Sequence, residues 1–305
     1  MAHTLLRTLD VTKTYGDFAA LRRVSLTVAQ GDIYGLVGRN GAGKTTLFKC
    51  VMGLARQSGG TITLDDSTDL DAARRHVGFM INPAFFPYLN AHDNLEYLRI
   101  AKGLRDASQV GRLLKLVGLD GVTKPFATYS LGMKQRLGIA GALLGSPSLV
   151  VLDEPINGLD PQGIIDMRAV ITDIHAAHGT TFLISSHILS ELDLVATRFG
   201  FIDEGVLLEE ITHQDLHERT RRSLTLEVDD AARARGVLTN LGIRDVTTEG
   251  ARLTLASHVD NSNAIAHALV TAGVQLYDLH RQETSLEDYF IGLVGGDRHA
   301  ASAAR

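Results

Sequence analysis

The chain has 305 residues, 45% hydrophobic and 21% charged, enough apolar material for a sizeable core and too much for wholesale disorder. Thirty basic against 35 acidic residues leave a net charge of −5, which argues against a protein that grips a nucleic-acid backbone, so no nucleic-acid partner is expected. A single cysteine, Cys50, cannot form an intrachain disulfide and fits a reducing compartment. No apolar run approaches the roughly 20 residues of a membrane span. Residues 1–13 carry Arg7, Asp10 and Lys13 where a secretory signal would be apolar, so a cytosolic chain is expected.

Strand-favouring stretches around Leu5 and Val11, then Leu26 and Val28, open the chain. Gly31-Asp32 turns it into Ile33-Tyr34-Gly35-Leu36-Val37, apolar throughout like a strand buried on both faces. A glycine-rich turn leads into a helix over residues 44–52, with Leu47, Val51 and Leu54 at helical spacing. Gly59-Gly60 ends that unit, and Thr61-Ile62-Thr63-Leu64 alternates like an edge strand. Residues 89–144 read as mostly helical, with a break at 118–128. A buried strand at 149–152, a helix at 161–178, a strand at 181–185 and a helix at 188–196 follow. Pro161 suits the first turn of its helix, where its missing N–H has no intrahelical partner anyway. This alternation predicts an α/β core with a largely parallel sheet.

The polar run Glu218-Arg219-Thr220-Arg221-Arg222 reads as a linker closing a first domain at 4–217. A second domain at 223–294 follows, with a strand at 224–228, a helix at 230–241 and short strands around Val246 and at 253–255. A helix at 261–272, a strand at 274–279 and a helix at 285–293 complete it. The order is βαββαβ plus a helix, the split βαβ arrangement. Residues 295–305 read as a frayed tail.

The chemistry concentrates in three places. Gly38-Arg39-Asn40-Gly41-Ala42-Gly43-Lys44-Thr45-Thr46, between a buried strand and a helix, satisfies the phosphate-loop pattern in full. Its glycines let N–H groups curl around phosphate oxygens, and the helix N-terminus adds partial positive charge. Lys44 can reach the β- and γ-phosphates and the Thr45 hydroxyl can ligate Mg²⁺, so a nucleoside triphosphate site is expected. The strand ending in Asp153-Glu154 places Asp153 to hold Mg²⁺, directly or through water, and Glu154 to accept a proton from an attacking water. Ser130, at the start of a helix carrying Leu137, Ile139, Ala140 and Leu143, forms a second anion site with the N–H groups after it. One triphosphate rarely needs two such sites in one chain; two chains facing head to tail would each use one.

Tyr129-Ser130-Leu131-Gly132-Met133-Lys134-Gln135-Arg136, about twenty residues before the paired acids, resembles the signature motif of the ATP-binding cassette family. The resemblance covers nearly the whole chain. It implies a phosphate-loop ATPase fold, with a RecA-like core, an antiparallel β subdomain and a helical subdomain, plus the small α+β domain. It also implies ATP and Mg²⁺ at the site, a second ATPase subunit, with a homodimer the simpler guess, and a polytopic permease holding the chain at the inner face of the plasma membrane. Asn157-Gly158-Leu159-Asp160 resembles the family's D-loop, His187 its γ-phosphate switch histidine, and Tyr15 the aromatic that stacks on adenine. Leu131 and Met133 stand where glycine and glutamine are commonest, a form similar to exporters of the bacitracin, lantibiotic and anthracycline-resistance branch. The Thr284-Ser285-Leu286-Glu287-Asp288-Tyr289-Phe290 segment points the same way, although Ser285 and Asp288 also form a capping-box pattern.

Two features keep two readings. Asn82 stands where most cassettes have glutamine: either it reaches the Mg²⁺ shell through a water, or it begins a turn before Pro83. Phe85, Phe86 and Tyr88, stiffened by Pro83 and Pro87, either line a cleft for a permease helix or pack beneath the helical region. A soluble cassette acting on nucleic acid or ribosomes is the alternative function, and it would normally show paired cassettes, a coiled-coil insertion or a basic face. A small-molecule phosphotransferase would leave Ser130–Gly132 and His187 unexplained. His175 and His178 read as an exposed helical face, Cys50 as a small buried residue, and Arg221-Arg222 as solvated linker.

Overall fold

In the computed structural model, which describes residues 3–82, 84–220, 223–255, 261–282 and 285–302, two twelve-residue strands open the chain as a hairpin, β1 (Thr4–Tyr15) and β2 (Phe18–Ala29). Their register shifts between Thr8 and Val11, where Asp10 and Arg23 take left-handed φ angles of 50° and 56°. The two side chains pair at 3.1 Å across the irregularity, a bulge that bends the hairpin. The buried β3 (Ile33–Val37) follows, then α1 (Lys44–Val51), β4 (Gly59–Leu64) and the single turn α2 (Leu70–Ala73). Next come β5 (Val77–Met80) and three helices, α3 (Ala91–Ala101), α4 (Ser108–Leu116) and α5 (Leu131–Leu143). The remainder of this unit is β6 (Leu149–Asp153), α6 (Pro161–His178), β7 (Thr181–Ser186), α7 (Leu189–Asp193), β8 (Arg198–Asp203) and β9 (Val206–Thr212).

A three-stranded antiparallel sheet, β2-β1-β4, and a six-stranded sheet, β5-β6-β7-β3-β8-β9, organise these elements. All but β9 run parallel in the larger sheet, and β3, β6 and β7 are apolar because they are covered on both faces. Leu36, Leu47, Phe48, Val151 and Leu183 join Leu6, Leu26 and Ile62 in one core, so the two sheets clasp α1.

The chain divides into two compact units, Met1–His213 and Gln214–Arg305. Leading into the second is α8 (His213–Arg219), followed by β10 (Ser223–Val228), α9 (Ala231–Asn240), β11 (Val246–Glu249) and β12 (Arg252–Leu255). Then come α10 (Ser262–Thr271), β13 (Leu276–Gln282) and α11 (Leu286–Ser302). The sheet order β11-β12-β10-β13, antiparallel throughout, makes β10 and β11 parallel with β12 between them, the split arrangement expected. Leu224, Leu226 and Val228 alternate inward onto Leu238, Ile265 and Leu269. The Ser285–Asp288 capping box is formed both ways, with Ser285 Oγ accepting from the Asp288 N–H at 3.0 Å and the Asp288 carboxylate from the Ser285 N–H at 3.3 Å.

Several expectations need correction. The helix expected at 188–196 is the shorter Leu189–Asp193, because Thr197 begins the approach to β8. The charged linker starting at Glu218 is helical as far as Arg219, a run of residues that tolerate helix well; Arg221 and Arg222 lie outside the described residues. The last helix continues to Ser302 through the stretch read as tail, where Arg298, Ala300 and Ala301 are strong helix formers. The strand expected at 274–279 is displaced to Leu276–Gln282, where it pairs with β10. β5, β8 and β9 add to the strands expected from the sequence. Gly78 disguises β5, yet it is required, because a Cβ there would collide with the Ala142 carbonyl.

Candidate functional site

The loop between β3 and α1 opens at the carboxyl ends of the parallel strands, where such sheets collect ligands. The Gly38 N–H donates to the Ser186 carbonyl at 3.2 Å, and a Cβ on Gly38 would collide with the Ile202 carbonyl. Gly43 begins α1 at φ 108°, a conformation closed to other residues, and a Cβ there would lie 2.7 Å from the Ala20 carbonyl oxygen. Ala42 is buried, its carbonyl accepting from the Gly205 N–H at 2.9 Å. Arg39, Asn40 and Gly41 form the exposed tip, and Thr46 is half-buried in the first turn of α1. No side chain caps α1, so its first N–H groups face the mouth of the loop, ready for an anion.

Lys44, 5% exposed, folds back over this loop. Its Nζ donates to the carbonyls of Gly38 at 2.6 Å and Arg39 at 3.2 Å, and lies 3.1 Å from Glu154 Oε1. Glu154 Oε2 is 2.8 Å from His187 Nδ1; a carboxylate only accepts, so Nδ1 carries the proton. One carboxylate therefore joins the loop lysine to the histidine beyond β7. Glu154 sits at φ 50°, a left-handed position that costs about 1–2 kcal/mol, and its N–H is held by Ser185 Oγ at 2.9 Å. Ser185 Oγ donates to Asp153 Oδ1 at 2.6 Å, and Thr45 Oγ1 donates to Asp153 Oδ2 at 2.7 Å.

The structure thus brings Lys44, Thr45, Asp153, Glu154 and His187 into one connected cluster and adds Ser185, which sequence reasoning missed. In the sequence Ser185 ends an otherwise largely apolar strand segment. Its signal was its place beside the paired acids once β6 and β7 are aligned, since Ser185 is the cross-strand partner of Asp153.

The other expected residues lie outside that hydrogen-bonded cluster. Ser130 caps α5, accepting from the Met133 N–H at 3.3 Å, with Gly132 in the first turn. Asp160 caps α6, accepting from the Gly163 N–H at 3.1 Å. A Cβ on Gly158 would be 3.1 Å from the Leu131 side chain, so the two caps' segments adjoin. Tyr15, 49% exposed, ends β1 opposite Phe18. Asn82 is exposed at φ 52°, which asparagine accepts more readily than glutamine. Among the described residues, no hydrogen bond or ion pair joins Tyr15, Asn82, Ser130, Gly132 or Asp160 to Lys44, Glu154 or His187.

The aromatic segment splits between its two readings. Phe85 packs edge-on against Phe126 at 5.2 Å and Phe86 against Tyr97 at 4.8 Å, both beneath the helical region. Tyr88 alone of the three is open, at 71% exposure. Pro83 lies outside the described residues.

Comparison with known proteins extends the pattern. The ABC transporter family model matches residues 21–157. The bacitracin transport ATP-binding protein BcrA of Enterococcus faecalis is 37% identical over 96% of this chain and 97% of its own length. BcrA of Bacillus licheniformis is also 37% identical, over 96% of this chain and 98% of its own. The lantibiotic transport ATP-binding protein SrtF of Streptococcus pyogenes is 40% identical over 68% of this chain and 90% of its own. Among solved structures, an ATP-binding subunit of an ABC transporter superposes with a TM-score of 0.62 at 28% identity, over 70% of this chain and 92% of that one. A dimeric, post-hydrolysis ATP-binding cassette bound to ADP and Pi shares the fold, with a TM-score of 0.62 at 24% identity over 68% of this chain and 99% of that one. With its phosphate loop and paired acids in one cluster and this likeness sustained from end to end, the chain belongs to the ABC transporter family, as an ATP-hydrolysing ATP-binding subunit.

Proposed function

We propose that this ATPase energises the export of a peptide antibiotic or similar amphipathic compound through a separate polytopic permease at the inner face of the plasma membrane. Two copies would close head to tail over ATP. The observation that carries this reading is the end-to-end likeness to the bacitracin transport subunits, which takes in the second unit as well as the cassette. No helix among the described residues is long and apolar enough to cross a membrane, and the permease would form the substrate path.

The chemistry follows from the Lys44–Glu154 contact at 3.1 Å. Incoming β- and γ-phosphates compete with Glu154 for the ammonium, and as Lys44 turns to them the carboxylate is freed. Glu154 then accepts a proton from a water whose oxygen bonds to the γ-phosphorus, while the bond to the β–γ bridging oxygen breaks and ADP leaves. His187, held by Glu154 through Nδ1, keeps that carboxylate oriented and reaches toward the γ-phosphate. Ser130 and the first-turn N–H groups at Gly132, from the second copy, would close over the phosphates, flanked by Asp160.

The oxygen set at Thr45 and Asp153, 2.7 Å apart, suits Mg²⁺, which favours hard oxygen ligands. Thr45 Oγ1 and Asp153 would hold it, with Asn82 reaching it through a bridging water, and the ion would neutralise charge on the β- and γ-oxygens. Tyr88 offers the permease an exposed aromatic. Co-reconstitution with a polytopic permease of the peptide-antibiotic export type should raise the ATPase rate, and Tyr88→Ser should cut that stimulation while sparing ATP binding. An ATPase rate indifferent to the permease would overturn the transport reading.

A further inference from the structure

We infer that Lys13 is a positioning residue for the nucleotide base: its ammonium covers one face of the Tyr15 ring and fixes the ring with the opposite face open to a purine. The inference rests on the reading of Tyr15 as the surface on which adenine stacks.

Lys13 and Tyr15 are two residues apart on β1, a spacing that puts both side chains on one face of a strand. Lys13 Nζ lies 4.6 Å from the centroid of the Tyr15 ring, inside the roughly 6 Å reach of a cation–π contact. The same ammonium donates to the Arg56 carbonyl at 2.9 Å, so it is held from two directions. The segment after α1 is itself stitched to the strand. The Ser58 N–H donates to the Thr12 carbonyl at 2.7 Å, and Ser58 Oγ accepts from the Thr14 N–H at 3.1 Å.

The hairpin also lies against the phosphate loop. Gly43 abuts Ala20 and Leu21 of β2, and β1 pairs Lys13 with Leu21, Thr14 with Ala19 and Tyr15 with Phe18. The Tyr15 ring therefore stands a few residues along one hairpin from the strand that touches the loop. Half-exposed, such a ring would otherwise change rotamer freely. A cation anchored over one face orders it before the base arrives, and ordering in advance lowers the cost of binding.

Equilibrium titration with magnesium ATP and with magnesium tripolyphosphate, which has no base, separates the possibilities. Lys13→Met keeps the aliphatic stem and removes the charge. It should weaken ATP binding about three-fold, the scale of an exposed cation–π contact, and leave tripolyphosphate binding unchanged. Lys13→Arg should restore ATP affinity. In a Tyr15→Ala background, Lys13→Met should have no further effect. An equal loss for both ligands would make Lys13 a phosphate-steering charge, and no loss for either would make it a strand-surface lysine; both outcomes overturn the inference. If Tyr15→Ala itself leaves the ATP to tripolyphosphate ratio unchanged, the stacking role of Tyr15 fails and the inference falls with it. If Tyr15→Ala lowers that ratio and Lys13→Met does not, the inference fails alone.

Discussion

Replacing Glu154 by glutamine removes one charge and almost no volume, and the site's geometry fixes what should follow. Glu154 faces two groups, pairing with the Lys44 ammonium at 3.1 Å and accepting from His187 Nδ1 at 2.8 Å. A glutamine has one oxygen for these two. The lysine cannot accept, so the amide oxygen must face Lys44 and the amide NH₂ must face His187. His187 can meet it by moving its proton to Nε2. Lys44 also keeps the Gly38 and Arg39 carbonyls at 2.6 and 3.2 Å, so the buried ammonium stays hydrogen-bonded and the fold should lose only about 1 kcal/mol. Catalysis is different, because the amide cannot take the water's proton. Loss of a general base lowers turnover by roughly 10²–10⁴, or about 3–5 kcal/mol of barrier. Steady-state phosphate release should fall by that factor while ATP affinity, measured by calorimetry, stays within about two-fold. Parental turnover in Glu154→Gln would refute the assignment, and so would a collapse of ATP binding, which would mean the carboxylate is structural.

Ser185→Ala should act on both stability and rate. It strips Asp153 of a 2.6 Å donor and leaves the Glu154 N–H without its acceptor, a buried loss of about 1–3 kcal/mol visible as a lowered Tm, with turnover reduced alongside. Asn82→Gly keeps the left-handed backbone and deletes the amide, so metal-dependent turnover should fall if the water bridge operates; an unchanged rate would leave Asn82 a turn residue only. Asp106 is held down from 3.8 to about 2 by hydrogen bonds from Ser108 and Arg112. Its folded form titrates below its unfolded form, so its contribution is present above pH 4 and is lost as pH falls toward 2. Asp106→Asn should therefore lower stability modestly at neutral pH, where that contribution is present, and flatten the acid limb of the stability profile between about pH 4 and 2.

Much of this architecture is legible because phosphate binding dictates sequence. Gly38 and Gly43 must be glycines where backbone closes on Ile202 and Ala20, so the loop announces itself and fixes a strand before it and a helix after it. The second unit is legible for another reason, since Leu224, Leu226 and Val228 alternate cleanly over one buried face. What escapes is whatever depends on partners distant in the chain. Ser185 looks like any serine in an apolar strand until β7 pairs with β6 and sets it against Asp153. The left-handed Glu154 has no sequence marker, because nothing about glutamate favours that backbone. The hairpin bulge at Asp10 and Arg23 is equally silent, as the two residues meet only across the β1–β2 register shift.

On the proposed function, ATP is held between two copies, by the Lys44 loop of one and the Ser130 helix end of the other. Sedimentation of the hydrolysis-deficient Glu154→Gln protein tests it most directly. With magnesium ATP it should run at twice the 32.9 kDa chain mass, and without nucleotide as a monomer. Adding Ser130→Arg should hold the protein at the monomer mass while the Lys44 loop still takes up ATP, because the arginine blocks the surface offered to the partner as well as removing the α5 cap. A dimer that forms without ATP, or that persists when Ser130 is replaced, would contradict the shared site.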